Sequence, residues 1–274
     1  MDTSQRDIQT LALVGYGRMG SAIVDALLDT DCMRAQNIFV CGHNVDQLKA
    51  LSTRGVCVAD DLSQLNINEV DAVLLAIKPQ SFEKFLSKHA EVLKDKLVIS
   101  IAAGVSIASL QNALGAQARV VRVMPNLLAT IQKSANLLSI SDSVSASDAE
   151  FVRSLFSACG SAHFIDEAKM DAASVLNGCS PAFFASIIDS FCVEAVSLGV
   201  SAPLARQLLL QTMQGTAELL LQTNEHPKEF TEKVCSPSGT TIEGVKVINH
   251  NVEILEEIIH ASYKRSKELA QTGE

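Results

Sequence analysis

In the first part of the chain, apolar residues fall into short continuous runs, each followed by a stretch with apolar positions at helical spacing. Residues 10–14 form the first run, and residues 21–28 continue as an amphipathic helix. Residues 38–41 form the next strand, followed by a helix over 45–53. Residues 72–77 are continuously apolar until Lys78-Pro79, and residues 97–102 repeat the pattern before Gly104 and another helical stretch. Residues 119–124 end at Pro125-Asn126, and 135–140 and 162–165 carry weaker strand signals. Continuous apolar runs suit strands buried on both faces, and their alternation with helices predicts a doubly wound, mostly parallel sheet. From about residue 166 the strand signals vanish. Four or five helical stretches follow, broken at 178–181, 199–203, 224–227 and 236–239, the last running to about Thr272. The pattern thus predicts an α/β domain over 1–165 and an all-helical domain over 166–274.

Composition narrows the partners. The chain has 274 residues, 47% of them apolar, which suffices for one large or two modest cores. Its formal net charge of -9, absence of Trp and only two Tyr argue against nucleic acid, which requires clustered cations and stacking platforms. The first ten residues are polar, with no basic segment leading into an apolar core, so no secretory signal is expected. The most apolar runs, 97–110 and 181–200, are read as core, because the first is short and the second carries Asp189 and Glu194. Seven scattered cysteines without a CxxC, and six dispersed histidines, predict neither a disulfide framework nor a metal site. A cytoplasmic protein without a membrane partner is the expectation.

Chemistry enters at Gly15-Tyr16-Gly17-Arg18-Met19-Gly20, a GxGxxG element placed directly after a predicted strand and opening a predicted helix. Gly15 would permit the tight turn, Gly17 would let a pyrophosphate approach the backbone, and Gly20 would allow close helix–strand packing. This context predicts a Rossmann domain binding NAD(P), with the pyrophosphate on the helix N-terminus. NAD-binding domains usually carry an acid about 20 residues on, for the ribose 2′-hydroxyl. Here the second strand ends in Cys41-Gly42-His43-Asn44, without a carboxylate. His43 and Asn44 therefore tilt the expectation towards NADPH, with NADH as the alternative. The loops after later strands, Ala76-Ile77-Lys78-Pro79, Ala102-Ala103-Gly104 and Pro125-Asn126, would lie on the ligand-binding rim of such a sheet. In the helical half, Ser236-Pro237-Ser238-Gly239-Thr240-Thr241 precedes an apolar pattern. Thr240 with Glu243 fits a capping box, and the same segment offers N–H and hydroxyl donors to a small anion.

Together these motifs resemble the pyrroline-5-carboxylate reductase family, which reduces a cyclic imino acid to proline with NAD(P)H. The resemblance covers the fingerprint, LLAIKPQ at 74–80, VISIAAGV at 98–105 and RVMPN at 122–126. It continues through MDAASVLNGCSPAFF at 170–184, NEHPKEF at 224–230 and SPSGTTIEGVKVI at 236–248. It implies a homodimer formed by the helical half, or a ring of such dimers. It also implies substrate binding through Ser236, Ser238, Gly239, Thr240 and Thr241, with Asn126 and Cys179 nearby. Thr241 corresponds to the threonine held near the pyrroline nitrogen. Ala102, Ala103, Gly104 and Asn126 match the nicotinamide side. The chain departs from the family pattern at Asn177-Gly178-Cys179-Ser180-Pro181-Ala182-Phe183, at Leu127-Leu128 and at Gly42-His43-Asn44. It departs also at Ser238, where a glycine is usual and a positive φ would be unfavourable.

Imine reduction makes modest demands, since a protonated imine is already electrophilic. Orientation, exclusion of water and an anion site suffice. That matches a site of Gly, Ser, Thr and Asn. Two alternatives stay open: a β-hydroxyacid dehydrogenase, which would need a base such as Lys169, and a non-catalytic NAD(P)-binding regulator.

Overall fold

The computed structural model describes residues 9–272, with side chains as far as Glu268. Most of the polar N-terminal segment considered above lies outside the described residues. The chain forms two compact units. One runs to Gly178 and includes the C-terminal segment from Tyr263, and the other comprises Cys179–Ser262.

The first unit is built on a single eight-stranded sheet. Its strands are β1 (Leu11–Val14), β2 (Ile38–Cys41), β3 (Cys57–Ala59), β4 (Ala72–Leu75), β5 (Leu97–Ser100), β6 (Arg119–Met124), β7 (Ser134–Ile140) and β8 (Gly160–Phe164). They lie in the order β3-β2-β1-β4-β5-β6-β7-β8. All neighbours are parallel except β6 and β7. Helices α1 (Arg18–Asp29), α2 (Val45–Thr53), α3 (Phe82–Leu93), α4 (Ile107–Leu114) and α5 (Ala146–Ala158) connect the strands. β1, β4 and β5 are buried along their whole length, as expected for central strands between two helical layers. Two apolar clusters result. One holds Leu11, Ile23, Leu27 and Phe156, and the other holds Val73, Leu75, Phe82 and Leu110. The strand order reverses between β1 and β4, and such a switch point opens a ligand crevice at the carboxyl ends of the strands.

The helical part contains α6 (Met170–Ser174), α7 (Ser180–Ser197), α8 (Ala202–Thr223), α9 (Pro227–Val234), α10 (Thr240–His250) and α11 (Val252–Thr272). Arg122, buried on β6, pairs with Glu167 and Asp171 and so fastens the root of α6 to the sheet.

Three expectations are corrected. The run 181–200 is not core within one chain. On α7, Phe184, Phe191 and Val193 are exposed, and Ala205 on α8 is the one buried apolar residue among the described residues of Cys179–Ser262. The break expected at 178–181 is instead a π-helical turn, Val175–Cys179, through which the helix continues. Pro181 has no N–H to give the carbonyl four residues back, that of Asn177, and this carbonyl accepts from Asn126 Nδ2 at 2.9 Å. Thr240 is not the cap of α10. Gly239 holds the extended N-cap conformation, and Glu243 pairs with Lys246 at 2.7 Å. The short strand β3 was not among the predicted strands.

Candidate active site

The turn after β1 has the geometry that its glycines demand. Gly15 sits at φ 100°, and a Cβ there would lie 2.5 Å from the carbonyl oxygen of Ala76. A Cβ on Gly20 would lie 2.2 Å from the Gly15 oxygen, so α1 packs against the turn closely enough to exclude any side chain. Gly17 differs, because nothing lies within 4 Å of where its Cβ would be. It is also the N-cap of α1, with no side chain capping the first N–H groups. The open space and the N–H groups that no side chain caps have the shape and polarity that suit a pyrophosphate.

A cleft of about 680 Å³ extends from this turn past the end of β2 to the end of β3 and one face of α3. Gly15, Tyr16, Gly17, His43, Ala76 and Lys78, six of the residues expected to bind the cofactor, line it together. Arg18 and Asn44 are exposed beside these positions; Asn44 caps α2 by accepting from the Gln47 N–H at 3.1 Å. Met19 packs towards the core and Gly20 is buried, so both shape the turn from behind. Ala102 is buried in the second apolar cluster. Pro79, Ala103 and Gly104 line a separate, largely apolar cavity of about 530 Å³ between α3 and α4.

Sequence reasoning missed the far end of the cleft. Asp61 follows β3, while Lys84, Phe85, Lys88 and His89 project from one face of α3. Their i, i+1, i+4, i+5 spacing on a helix following the third predicted strand was the available signal. Asp61 accepts from Lys88 Nζ at 2.8 Å and from the Ser63 N–H and hydroxyl at 2.9 and 2.6 Å. These bonds hold its carboxyl well below the usual carboxylate range. Burial lowers the His89 pKa despite Asp61 at 3.7 Å, which favours the neutral ring.

Asn126 and Asn177 lock the rim after β6. Both are buried. Asn126 Nδ2 donates to the Asn177 carbonyl, and its Oδ1 accepts from the Leu128 N–H at 2.9 Å. Asn177 Nδ2 donates to the Met124 and Ala135 carbonyls at 2.7 and 2.8 Å. Both ends of the Asn126 amide are thus engaged inside the chain. The Asn177 Oδ1 is buried without a hydrogen-bond partner among the described residues.

In the other unit, the loop 236–239 turns on a hydrogen bond from the Gly239 N–H to the Ser236 carbonyl at 3.0 Å. Ser238 adopts φ 61°, the left-handed conformation that its sequence position suggested, at a cost of about 1–2 kcal/mol relative to the right-handed well. A Cβ on Gly239 would meet Ser236 Oγ, which would have to rotate away, and would lie 3.0 Å from the Ser236 carbonyl oxygen, so the loop is tight at this position. No side chain caps α10, which leaves the N–H groups at its start available to an anion. Thr240 and Thr241 are exposed in that first turn, and Ser236 and Ser238 are exposed in the loop. Cys179 is half-buried at the end of the π turn. Lys169 is exposed on a short 3-10 turn.

Comparison with known proteins decides the family. Residues 167–269 match the family model described as pyrroline-5-carboxylate reductase dimerisation. Residues 10–104 match the one described as NADP oxidoreductase, coenzyme F420-dependent. The pyrroline-5-carboxylate reductase of Methanosarcina acetivorans is 35% identical over 96% of this chain and 98% of its own length. The chain belongs to the pyrroline-5-carboxylate reductase family. Among solved structures, the pyrroline-5-carboxylate reductase of Coxiella burnetii superposes with a TM-score of 0.90 at 28% identity, covering 96% of this chain and 99% of that one. The Plasmodium falciparum pyrroline carboxylate reductase, solved with NADP bound, gives a TM-score of 0.84 at 26% identity over 96% and 99%.

Proposed function

We propose that this protein reduces 1-pyrroline-5-carboxylate to L-proline with NADPH, as a homodimer or a ring of such dimers in the cytoplasm. One observation carries the reading. A near full-length member of this family presents two helix N-termini without side-chain caps, and the proposed binding segments offer donors for anions rather than an acid–base pair.

The cofactor fits the residues present. The turn Gly15–Gly17 and the start of α1, with Arg18, Met19 and Gly20, hold the pyrophosphate. His43 and Asn44 meet the adenosine ribose and Ala76 and Lys78 continue the path along the cleft, while Pro79, Ala102, Ala103 and Gly104, which do not line that cleft, support the path from the adjoining strand ends. NADPH, when bound, supplies the hydride. The chain contributes orientation and charge. The α10 N-terminus with Ser236, Ser238, Gly239 and Thr240 holds the substrate carboxylate, and Cys179 is assigned to the same substrate site. Thr241 holds the ring nitrogen through its hydroxyl and steadies the proton there. Asn126 acts by fixing its loop, since its amide is already engaged. No base is needed, because the protonated imine is already electrophilic.

The stretch Glu167–Ser197 is long and apolar enough, by length and composition, to cross a membrane. It begins the segment matched by the dimerisation model, and we assign its exposed face to a second copy of the chain, not to lipid. The functional division falls near 165/166, with dinucleotide binding before it and substrate binding and dimerisation after it.

The test follows loss of reduced cofactor with NADPH or NADH against pyrroline-5-carboxylate and, separately, oxidised cofactor with a panel of β-hydroxy acids. Turnover of the imine with NADPH is expected. Turnover of a hydroxy acid alone would establish the dehydrogenase reading instead, and cofactor binding without turnover of either would establish the regulator.

A further inference from the structure

At the adenosine end of the cleft the chain faces a difficulty of charge. A 2′-phosphate needs positive charge near the end of β2, yet among the described residues no arginine lines the cleft; its cations are Lys78, Lys84 and Lys88, and two aspartates, Asp60 and Asp61, line it directly after β3. Their position is fixed by the sheet. β3 pairs with β2 on the side away from β1, and the Gly42 N–H donates to the Ala59 carbonyl at 3.1 Å. Asp60 and Asp61 follow Ala59 directly, so they begin beside Gly42 and His43, where Rossmann domains read the ribose 2′ position. The charge of Asp61 reaches this strand end. The Cys41 thiol, immediately before Gly42, is pushed up to about 12, first by burial and then by Asp61. Left alone, an ionised Asp61 would repel a 2′-phosphate and favour the dinucleotide without one.

Lys88 counters it. From the third turn-face position of α3 it reaches the second carboxylate oxygen of Asp61 at 2.8 Å, while Ser63 occupies the first. His89, beside it, is almost fully buried against Phe85 and favours its neutral form, so it adds little compensating charge above neutral pH.

We propose that Lys88, by neutralising Asp61 rather than by touching the phosphate, sets the preference of this cleft for a 2′-phosphorylated dinucleotide. The inference rests on the cofactor reading above. Lys88 is a specificity-setting residue that acts through another. Its side chain is 58% exposed, so removing it should not threaten the fold. Asp61→Asn keeps an oxygen that can accept from the Ser63 N–H, so the turn after β3 keeps its cap.

The test measures binding of NADP⁺ and NAD⁺ to the full chain by titration calorimetry at pH 8, for the wild type, Lys88→Met, Asp61→Asn and the double variant. Lys88→Met should weaken NADP⁺ by about fivefold, in the range of a screened surface charge, and leave NAD⁺ within about twofold. Asp61→Asn should not weaken NADP⁺, and adding it to Lys88→Met should restore wild-type NADP⁺ affinity. A double variant as weak as Lys88→Met would show that Lys88 meets the phosphate directly and would overturn the proposed route. Equal losses for both dinucleotides, or none, would overturn it as well. Failure of the wild type to bind either dinucleotide would instead remove the cofactor reading, and the inference with it.

Discussion

The two units of this chain solve the burial problem in opposite ways. The sheet unit encloses its apolar residues, with Leu11, Leu13, Val73, Leu74 and Ile99 fully shielded between helical layers. The unit Cys179–Ser262 shields one apolar residue, Ala205, among its described residues, while Phe191 is 54% and Leu221 84% exposed. Helices this apolar on their outer faces are not stable in water alone. The dimerisation family match supports self-association through this part of the chain, and the proposed reading assigns these exposed faces to a second copy. On the proposed reading, the sheet unit forms its cofactor site within one chain, and the helical unit depends on its partner.

The comparison can be broken most sharply at Phe191. Phe191→Glu should place an unpaired charge in the face between chains, costing about 3–5 kcal/mol of association. Light scattering on a sizing column should then show single chains, with reductase activity lost and cofactor affinity kept. An unchanged assembly would mean that α7 does not form the interface. Next in size is Thr241→Ala, expected to lower kcat/KM for the imine by about 10²-fold, with the mass and melting temperature unchanged. Unaltered kinetics would remove Thr241 from the site.

A glycine pair sharpens the account within the sheet unit. Gly17→Ala points a methyl into open space and should leave stability intact while raising the NADPH Kd at least about tenfold. Gly20→Ala drives the same methyl into the Gly15 carbonyl and should cost about 1–3 kcal/mol of stability in chemical denaturation. If both variants lost only stability, Gly17 would be a packing glycine and the pyrophosphate site would lie elsewhere. The smallest effect belongs to Ser238→Gly. It relieves a left-handed serine and should raise stability by about 0.5 kcal/mol, the strain relief being partly offset by glycine's freedom in the unfolded chain. A loss of stability would show that the Ser238 side chain holds the loop.

These regions also differed in how far the sequence revealed them. Strands β2 and β6 coincide with their predicted spans because a short apolar run leaves few alternatives, and helix α2 does so because Asn44 caps its start and Leu48 and Leu51 mark its one buried face. Strand β3, only three residues long, carries too little pattern to stand out. The π turn at Val175–Cys179 was hidden because Gly178 and Pro181 read locally as a break. The tertiary bond from Asn126 that satisfies the freed Asn177 carbonyl lies 51 residues away in sequence. The exposed face of α7 was misread because an apolar run does not say whether its cover comes from the same chain. At the site, the glycine turn was legible because its motif has a geometric reason at each position. The Asp61–Lys88 pair was not, since it joins a strand end to a helix face across 27 residues.

The most direct measurement follows the product itself. The purified protein would be given NADPH and pyrroline-5-carboxylate, and L-proline quantified by chiral chromatography against the NADPH consumed. The account predicts one L-proline for each NADPH, abolished when Phe191→Glu separates the chains. NADPH left unspent, or spent without proline, would contradict it.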